Sequence, residues 1–549
     1  MKIIKYMLML LASNTVVSQI PDLVQTDGIF TPIHQNNIGK IVFLSRNIPL
    51  DSLSETDFLK TYDLNKQSNL NIRVFMDNSV INYQHRLAPN LSAEELNVSG
   101  NYQFSFFVDD KPIYSENIHY GCGLRKSTTT TFRVPFTDTN GGDWWSIYLF
   151  DRFKDNGGKK ALTDGRHRFR VELRPYLKLG EKTIVGDLIA KGQLELVIKT
   201  PKITEKQLAI QPIPPASGFG ISDEWYDKKK IRELNKKIIS DEFRQITSIA
   251  VIKNDNLLIE EYFNGADRKT IHDTRSVGKS FTSILMGMAI SDGFIKDENQ
   301  TLGEFYDLKQ FANYSDNKAN IKLRDLLTMS SSFDGSDKKS DSPGNEENMY
   351  PTENWVKFAL DLPLDATKVN GGQWDYFTAG VILLGDILDK SIPGGLEKYA
   401  QEKLFKPLGI TKYQWEYTPQ KVVNTAGGLK MGSLDFAKIG QLYQNKGSWK
   451  SKQLVPQNWI EKSLSRQLQI PDRDNEFYGF LFWNKTYKVY GKEYEVSYCA
   501  GNGGNKIFIF KDLPLTVVIT ATAYNRPYAH SQVDRMMTEF VLPAILNLR

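Results

Sequence analysis

The stretch His272-Asp273-Thr274-Arg275-Ser276-Val277-Gly278-Lys279-Ser280-Phe281 decides how the second half of this chain is read. From Phe281 onward Ile284, Leu285, Met288 and Ala289 recur at helical spacing, which predicts a buried helix. Asp273 and Thr274 are residue types that cap helix N-termini, so Ser276 is expected near the positive end of the helix dipole. Ser276 and Lys279 stand three residues apart and so share a helix face. A serine hydroxyl is a poor nucleophile until a base takes its proton, and burial beside a positive helix end disfavours an ammonium there. The pair reads as a nucleophile with its own activator.

Two other pairs, Ser315…Lys318 and Ser336…Lys339, match the spacing. Both lie in Asp/Asn/Lys-rich stretches without an apolar period, where the lysine is expected to stay in water. Gly278-Lys279-Ser280 imitates the end of a phosphate-binding loop, but the glycine such a loop needs five residues before Gly278 is Asp273 here. A nucleotide site is excluded on that ground.

The chain has 549 residues, too many for one ordinary domain. Its 69 basic and 64 acidic residues leave a net charge of +5, which calls for neither a nucleic acid nor an anionic membrane as partner. Residues 1–18 carry Lys2 and Lys5, then the apolar run Tyr6 to Ala12, then small residues before Gln19. That order predicts a secretory signal peptide and an exported protein, periplasmic or secreted. No later apolar run reaches membrane length. The two cysteines, Cys122 and Cys499, are far apart, and no Cys/His cluster has metal spacing, so neither a metal nor another cofactor is expected.

Residues 20–200 show short alternating runs, such as Tyr102 to Val108 and Arg168 to Leu173, between turn signals such as Asn140-Gly141-Gly142 and Asp164-Gly165. This predicts an all-β sandwich domain of immunoglobulin or jelly-roll type. Trp144, Trp145 and Tyr148 form an aromatic cluster that suits either stacking on a cell-wall sugar or plain packing. Proline and glycine crowd residues 201–221, which read as a linker. Beyond it, over 222–549, strands at both ends enclose a helix-rich middle, the pattern of an α+β fold.

An acyl-transfer serine also needs a second proton-handling group and an oxyanion hole. His272 and His530 are the histidines of this half, but no G-x-S-x-G elbow supports a Ser-His-Asp triad. Tyr376 in Trp374-Asp375-Tyr376 precedes an apolar helix, and a lysine nearby would draw its phenol pKa down toward use as a base. Tyr498-Cys499-Ala500-Gly501-Asn502-Gly503-Gly504 precedes a strand, and its small residues allow close approach and exposed N–H groups.

Taken in this order, the pieces resemble the β-lactamase-related serine hydrolases, which include class C β-lactamases, D,D-peptidases, esterases and amidases. Leu326-Leu327-Thr328-Met329-Ser330-Ser331, Phe405 to Ile410 and Ala426-Gly427-Gly428-Leu429 add to the likeness over residues 222–549. Trp374-Asp375-Tyr376 and Ala500 to Gly504 are most similar to the 6-aminohexanoate-oligomer hydrolase branch. The resemblance implies a β-lactamase/D,D-peptidase-like domain, an antiparallel sheet with a helical subdomain. It also implies Ser276 as the acylated nucleophile, Lys279 as its proton acceptor and Tyr376 as the second acid/base. The N–H groups of Ser276 and Gly501 would form the oxyanion hole, with Thr378, Tyr498, Ala500 and Asn502 as substrate contacts.

Thr378 stands where the family usually has Asn, Tyr498 where β-lactamases have lysine, and Ala500 where the motif has glycine. The missing lysine argues against efficient β-lactam hydrolysis and leaves small esters or amides as the expected substrates. A D,D-peptidase of the cell wall and a non-catalytic wall-binding protein on the same fold are the competing expectations.

Overall fold

A computed structural model describes residues 20–64, 69–120, 127–137, 149–199, 202–339 and 341–546. The expected signal peptide, Cys122 and the Trp144/Trp145/Tyr148 cluster lie outside the described residues. The chain divides into two compact units, Met1–Lys202 and Ile203–Arg549.

In the first unit, among the described residues, two sheets enclose one core. A three-stranded antiparallel sheet runs Ile41–Leu44, Asn71–Phe75, Thr131–Pro135. The second sheet runs Thr61–Leu64, Ala190–Ile198, Gly165–Leu179, Gly100–Val108, Lys111–Asn117, with Lys182–Val185 also paired to Gly165–Leu179. Phe43, Ile72 and Val74 from one sheet share their core with Phe104, Phe106, Phe169 and Leu194 from the other. The alternating runs become strands because one face of each is buried. Two features depart from the all-β, antiparallel expectation. Thr61–Leu64 pairs parallel with Ala190–Ile198, and short helices cover Val80–Leu87 and Ala93–Ser99. At eight and seven residues these helices are too short to show a clear period.

The second unit is built on a nine-stranded sheet, counted among the described residues. Strands β1 (Ile246–Lys253) and β2 (Asn256–Tyr262) begin it. Helices α1 (Val277–Ser291), α2 (Thr378–Ser391) and α3 (Ser433–Gln444) follow, and β3 (Trp483–Val489), β4 (Lys492–Gly501), β5 (Asn505–Phe510) and β6 (Leu515–Ala521) complete the central strands. The order is Gly220–Ile221, β2, β1, β6, β5, β4, β3, Phe477–Tyr478, Leu468–Gln469, antiparallel throughout except for Gly220–Ile221 on β2. This is the expected α+β arrangement, with strands from both ends and the helices inserted between them.

Each face of the sheet is covered. Phe281, Leu285 and Phe436 from α1 and α3 meet Ile507, Ile509 and Val518 on one side. Ile231, Leu234, Val533 and Met537 meet Val496, Phe508 and Val517 on the other. From Ile203 onward the run read as a linker belongs to this unit: Gln211 donates from its Nε2 to Tyr262 O (2.8 Å) and from its N–H to Glu261 Oε1 (2.8 Å), and Gly220–Ile221 adds an edge strand. Proline-rich chain suits a sheet edge because it offers few free donors to a neighbouring strand.

Candidate active site

Helix α1 begins at Val277, so Ser276 is its N-cap residue, in αR geometry and with no side-chain cap bond. The expected caps lie in the turn before it. The Arg275 N–H donates to Asp273 Oδ1 (3.2 Å), and Arg275 adopts φ +53°, a left-handed conformation that costs a non-glycine residue energy. The turn leaves the Ser276 hydroxyl free of capping duty. Its partner is Lys279, whose Nζ lies 2.9 Å from Ser276 Oγ.

Lys279 is 2% exposed. Its Nζ also donates to Ala426 O at 2.7 Å, and that carbonyl fixes the amine against the serine. Gly278 and Gly427 allow the approach: a Cβ on Gly278 would meet Gly427 Cα at 3.3 Å, and one on Gly427 would meet Arg275 C at 3.2 Å. The segment is anchored from both helices, by Thr282 Oγ1 of α1 on Thr425 O (3.0 Å) and by Thr425 Oγ1 on Val381 O of α2 (2.9 Å).

Tyr376 arrives from the other side, just before α2. The Lys279 Nζ sits 5.2 Å from its ring centroid. Trp483 stacks on Tyr376 at 5.8 Å, and Trp374 lies 6.3 Å away. The expected downward shift of the phenol is reversed. Burial raises the Tyr376 pKa above 10 and outweighs the opposing pull of Lys279 and Ser276. The group is therefore a protonated phenol, suited to donating.

Gly501 ends β4 directly against the nucleophile turn: a Cβ there would lie 1.8 Å from Thr274 O and 3.1 Å from Val277 N. Only glycine lets the strand come this close. Strand alternation then separates its neighbours, with Cys499 in the core around α1 and Tyr498 in the core on the opposite face. Tyr498 is 3% exposed, with Lys485 and Lys506 at 4.7 and 5.2 Å from its ring centroid. It is a core residue, as Ala500 beside it packs on the same face. The hydroxyl of Thr378 is closed to solvent, and its N–H donates to Asp337 Oδ2 at 2.7 Å. Asn502 is exposed and tied to Asn525, donating from Nδ2 to Asn525 Oδ1 (2.6 Å) and accepting at Oδ1 from Asn525 N–H (2.8 Å). The structure thus brings Ser276, Lys279, Tyr376 and Gly501 together; it buries the Thr378 hydroxyl, and it packs Tyr498 and Ala500 in one core, with the Tyr498 ring stacked on Trp483 at 6.2 Å.

The rival serine–lysine pairs are structural. Ser315 Oγ caps the N–H of Lys318, and Lys318 is buried, donating from Nζ to Ala312 O (2.9 Å) and Leu360 O (3.0 Å). That burial differs from the expected solvation, because the polar stretch folds back over Leu360. Ser336 Oγ donates to Asp375 Oδ1 at 2.6 Å, and Lys339 is exposed. His272 Nδ1 pairs with Thr247 Oγ1 (3.3 Å), and burial lowers its pKa to about 4. Cys499 is a free thiol that burial pushes up to about 12. Among the described residues no group of His, Cys, Asp and Glu is arranged to hold a metal ion, and no helix is long and apolar enough to cross a membrane.

Sequence reasoning missed Asp337 and the Ala426 carbonyl. The first lay hidden in a polar stretch, and a backbone oxygen carries no signal in sequence.

The fold is thus a sheet covered on both faces, with a serine–lysine pair at the head of its buried helix. The family model described as beta-lactamase matches residues 239–536, more than half of the chain, and the chain belongs to the beta-lactamase family, within the β-lactamase-related serine hydrolase superfamily. No curated protein matches the chain. Similar solved structures include a protein assigned as a 6-aminohexanoate-dimer hydrolase from Bacillus anthracis, 19% identical, covering 54% of this chain and 79% of its own, with TM-score 0.46. An octameric penicillin-binding protein homologue from Pyrococcus abyssi is 18% identical over 56% of this chain and 76% of its own, TM-score 0.42. EstCE1, a hydrolase with promiscuous acyltransferase activity, is 13% identical over 58% of this chain and 98% of its own, TM-score 0.48.

Proposed function

We propose that the protein is an exported serine hydrolase that cleaves small esters or amides through an acyl-enzyme on Ser276. The observation that carries this reading is the 2.9 Å contact between Lys279 Nζ and Ser276 Oγ. In the reaction Ser276 Oγ attacks the substrate carbonyl carbon while the Lys279 amine takes the serine proton. The N–H groups of Ser276 and Gly501 receive the developing oxyanion. Tyr376 protonates the leaving group as the scissile bond breaks, and Lys279 returns a proton to the phenol. Water then attacks the acyl carbon, its proton passes back through the same groups to Ser276, and the acid product leaves.

Tyr498 supports small esters or amides over β-lactams. At the strand position where a β-lactamase offers a lysine, this chain offers a buried ring facing the opposite core. The reading is tested by turnover of Ser276→Ala on p-nitrophenyl butyrate and a linear amide. Loss of turnover with an unchanged circular dichroism spectrum supports it, and retained turnover overturns it.

A further inference from the structure

Asp337 is a half-buried carboxylate with two of its three hydrogen bonds directed at the segment that carries Tyr376. Its N–H donates to Tyr376 O at 2.8 Å. Its Oδ2 accepts the Thr378 N–H at 2.7 Å, and its Oδ1 accepts the Glu346 N–H at 2.8 Å. The first of these carboxylate bonds closes an open helix end. Phe377, the N-cap of α2, offers no side-chain cap, so a donor of the first turn is satisfied from a distant loop. A negative charge is also favoured at that helix end.

Tyr376 is therefore bracketed: its own carbonyl is held by Asp337, and so is the N–H two residues on. The neighbouring Asp375 is fixed in turn by Ser336 Oγ (2.6 Å) and Lys368 Nζ (2.8 Å). Burial and the nearby Glu346 raise the Asp337 pKa, while Thr378 and Lys279 pull it down, so the carboxylate lies within the electrostatic reach of the lysine beside Ser276.

We propose that Asp337 is a positioning residue, which holds the Tyr376 phenol at the leaving-group side of the scissile bond. This rests on the reading of Ser276, Lys279 and Tyr376 as catalytic. A phenol displaced by about 1 Å loses on the order of 100-fold in the step it serves. The loss depends on the leaving group: p-nitrophenolate departs unprotonated, whereas an alkoxide has to be protonated.

The test compares kcat/KM for p-nitrophenyl butyrate and ethyl butyrate in wild type, Tyr376→Phe, Asp337→Ala and the double variant. Asp337→Ala is expected to lower ethyl butyrate turnover by at least 10-fold more than p-nitrophenyl butyrate turnover, as Tyr376→Phe does. In the Tyr376→Phe background it is expected to add less than about 3-fold, because the two residues act as one unit. Equal losses on both esters, or losses that multiply in the double variant, mean a merely structural role and overturn the proposal. Should Asp337→Ala fail to fold, Asp337→Asn carries the same cycle, since it keeps the shape but sets an NH2 against one of the two N–H donors. Full activity in Ser276→Ala would instead remove the reading on which the proposal rests.

Discussion

Gly501 offers the sharpest structural prediction. A methyl group there would sit 1.8 Å from Thr274 O, and real Cβ atoms do not approach closer than 3.0 Å. Gly501→Ala therefore forces the end of β4 and the nucleophile turn apart by about 1.2 Å or more. Overpacking of this kind costs about 1–3 kcal/mol, so Tm should fall by several degrees. The larger effect is on catalysis, because the displaced N–H is one of the two proposed oxyanion donors. Loss of one such donor costs about 100- to 1,000-fold in rate, and kcat/KM on p-nitrophenyl butyrate should fall by about that factor. Steady-state kinetics, a thermal melt and intact-mass acylation of one preparation separate the two effects. Activity within about 3-fold of wild type together with an unchanged Tm would refute the reasoning, since β4 would then not lie against the turn.

Three further outcomes follow from the same packing. Burial depresses the His272 pKa from 6.5 to about 4, so the fold is favoured by a neutral imidazole. That contribution is fully present above pH 6.5 and is lost as pH falls toward 4, worth about 3 kcal/mol across the window. Urea unfolding between pH 7.5 and 4.5 should show the slope, and His272→Gln should flatten it; an unchanged slope in the variant contradicts the assignment. A Cβ on Gly287 of α1 would lie 2.2 Å from Trp459 Cδ1, whose indole also donates to Ser283 O at 2.8 Å. Gly287→Ala should thus lower stability by about 1–3 kcal/mol with little change in kcat at 25 °C, and an unaltered Tm would count against the packing. Tyr376→Phe should spare activated esters more than alkyl esters, and equal losses on both would deny the phenol its role as proton donor.

Much of the second unit was legible in sequence because its signals are local. The apolar spacing from Phe281 to Ala289 marks a buried helix, and three residues on a helix bring Lys279 to Ser276 whatever surrounds them. The small residues at 500–504 announced a close approach, and Gly501 makes it. What was hidden depends on packing from afar. Trp483 and Trp374 bury Tyr376, and their burial reverses the sign expected from Lys279 alone. Asp273 spends its side chain on Arg275 N–H, which moves the helix start to Val277 and makes the serine itself the N-cap. Asp337 sits among Ser, Lys and Asp residues that read as a solvated loop, and only the fold turns that loop onto α2. Where Tyr498 goes was also hidden: strand alternation from Gly501 packs it in the core with Phe508, and its ring stacks on Trp483, which in turn stacks on Tyr376.

The most direct test of the account is intact-mass analysis of wild type and Ser276→Ala after brief exposure to p-nitrophenyl butyrate, a linear amide and a penicillin. The account predicts a single added butyryl group on wild type that decays with turnover, a weak or absent penicillin adduct, and none of these on Ser276→Ala. A butyryl adduct of equal yield on Ser276→Ala, or turnover that persists in that variant, would contradict the assignment of Ser276 as the nucleophile.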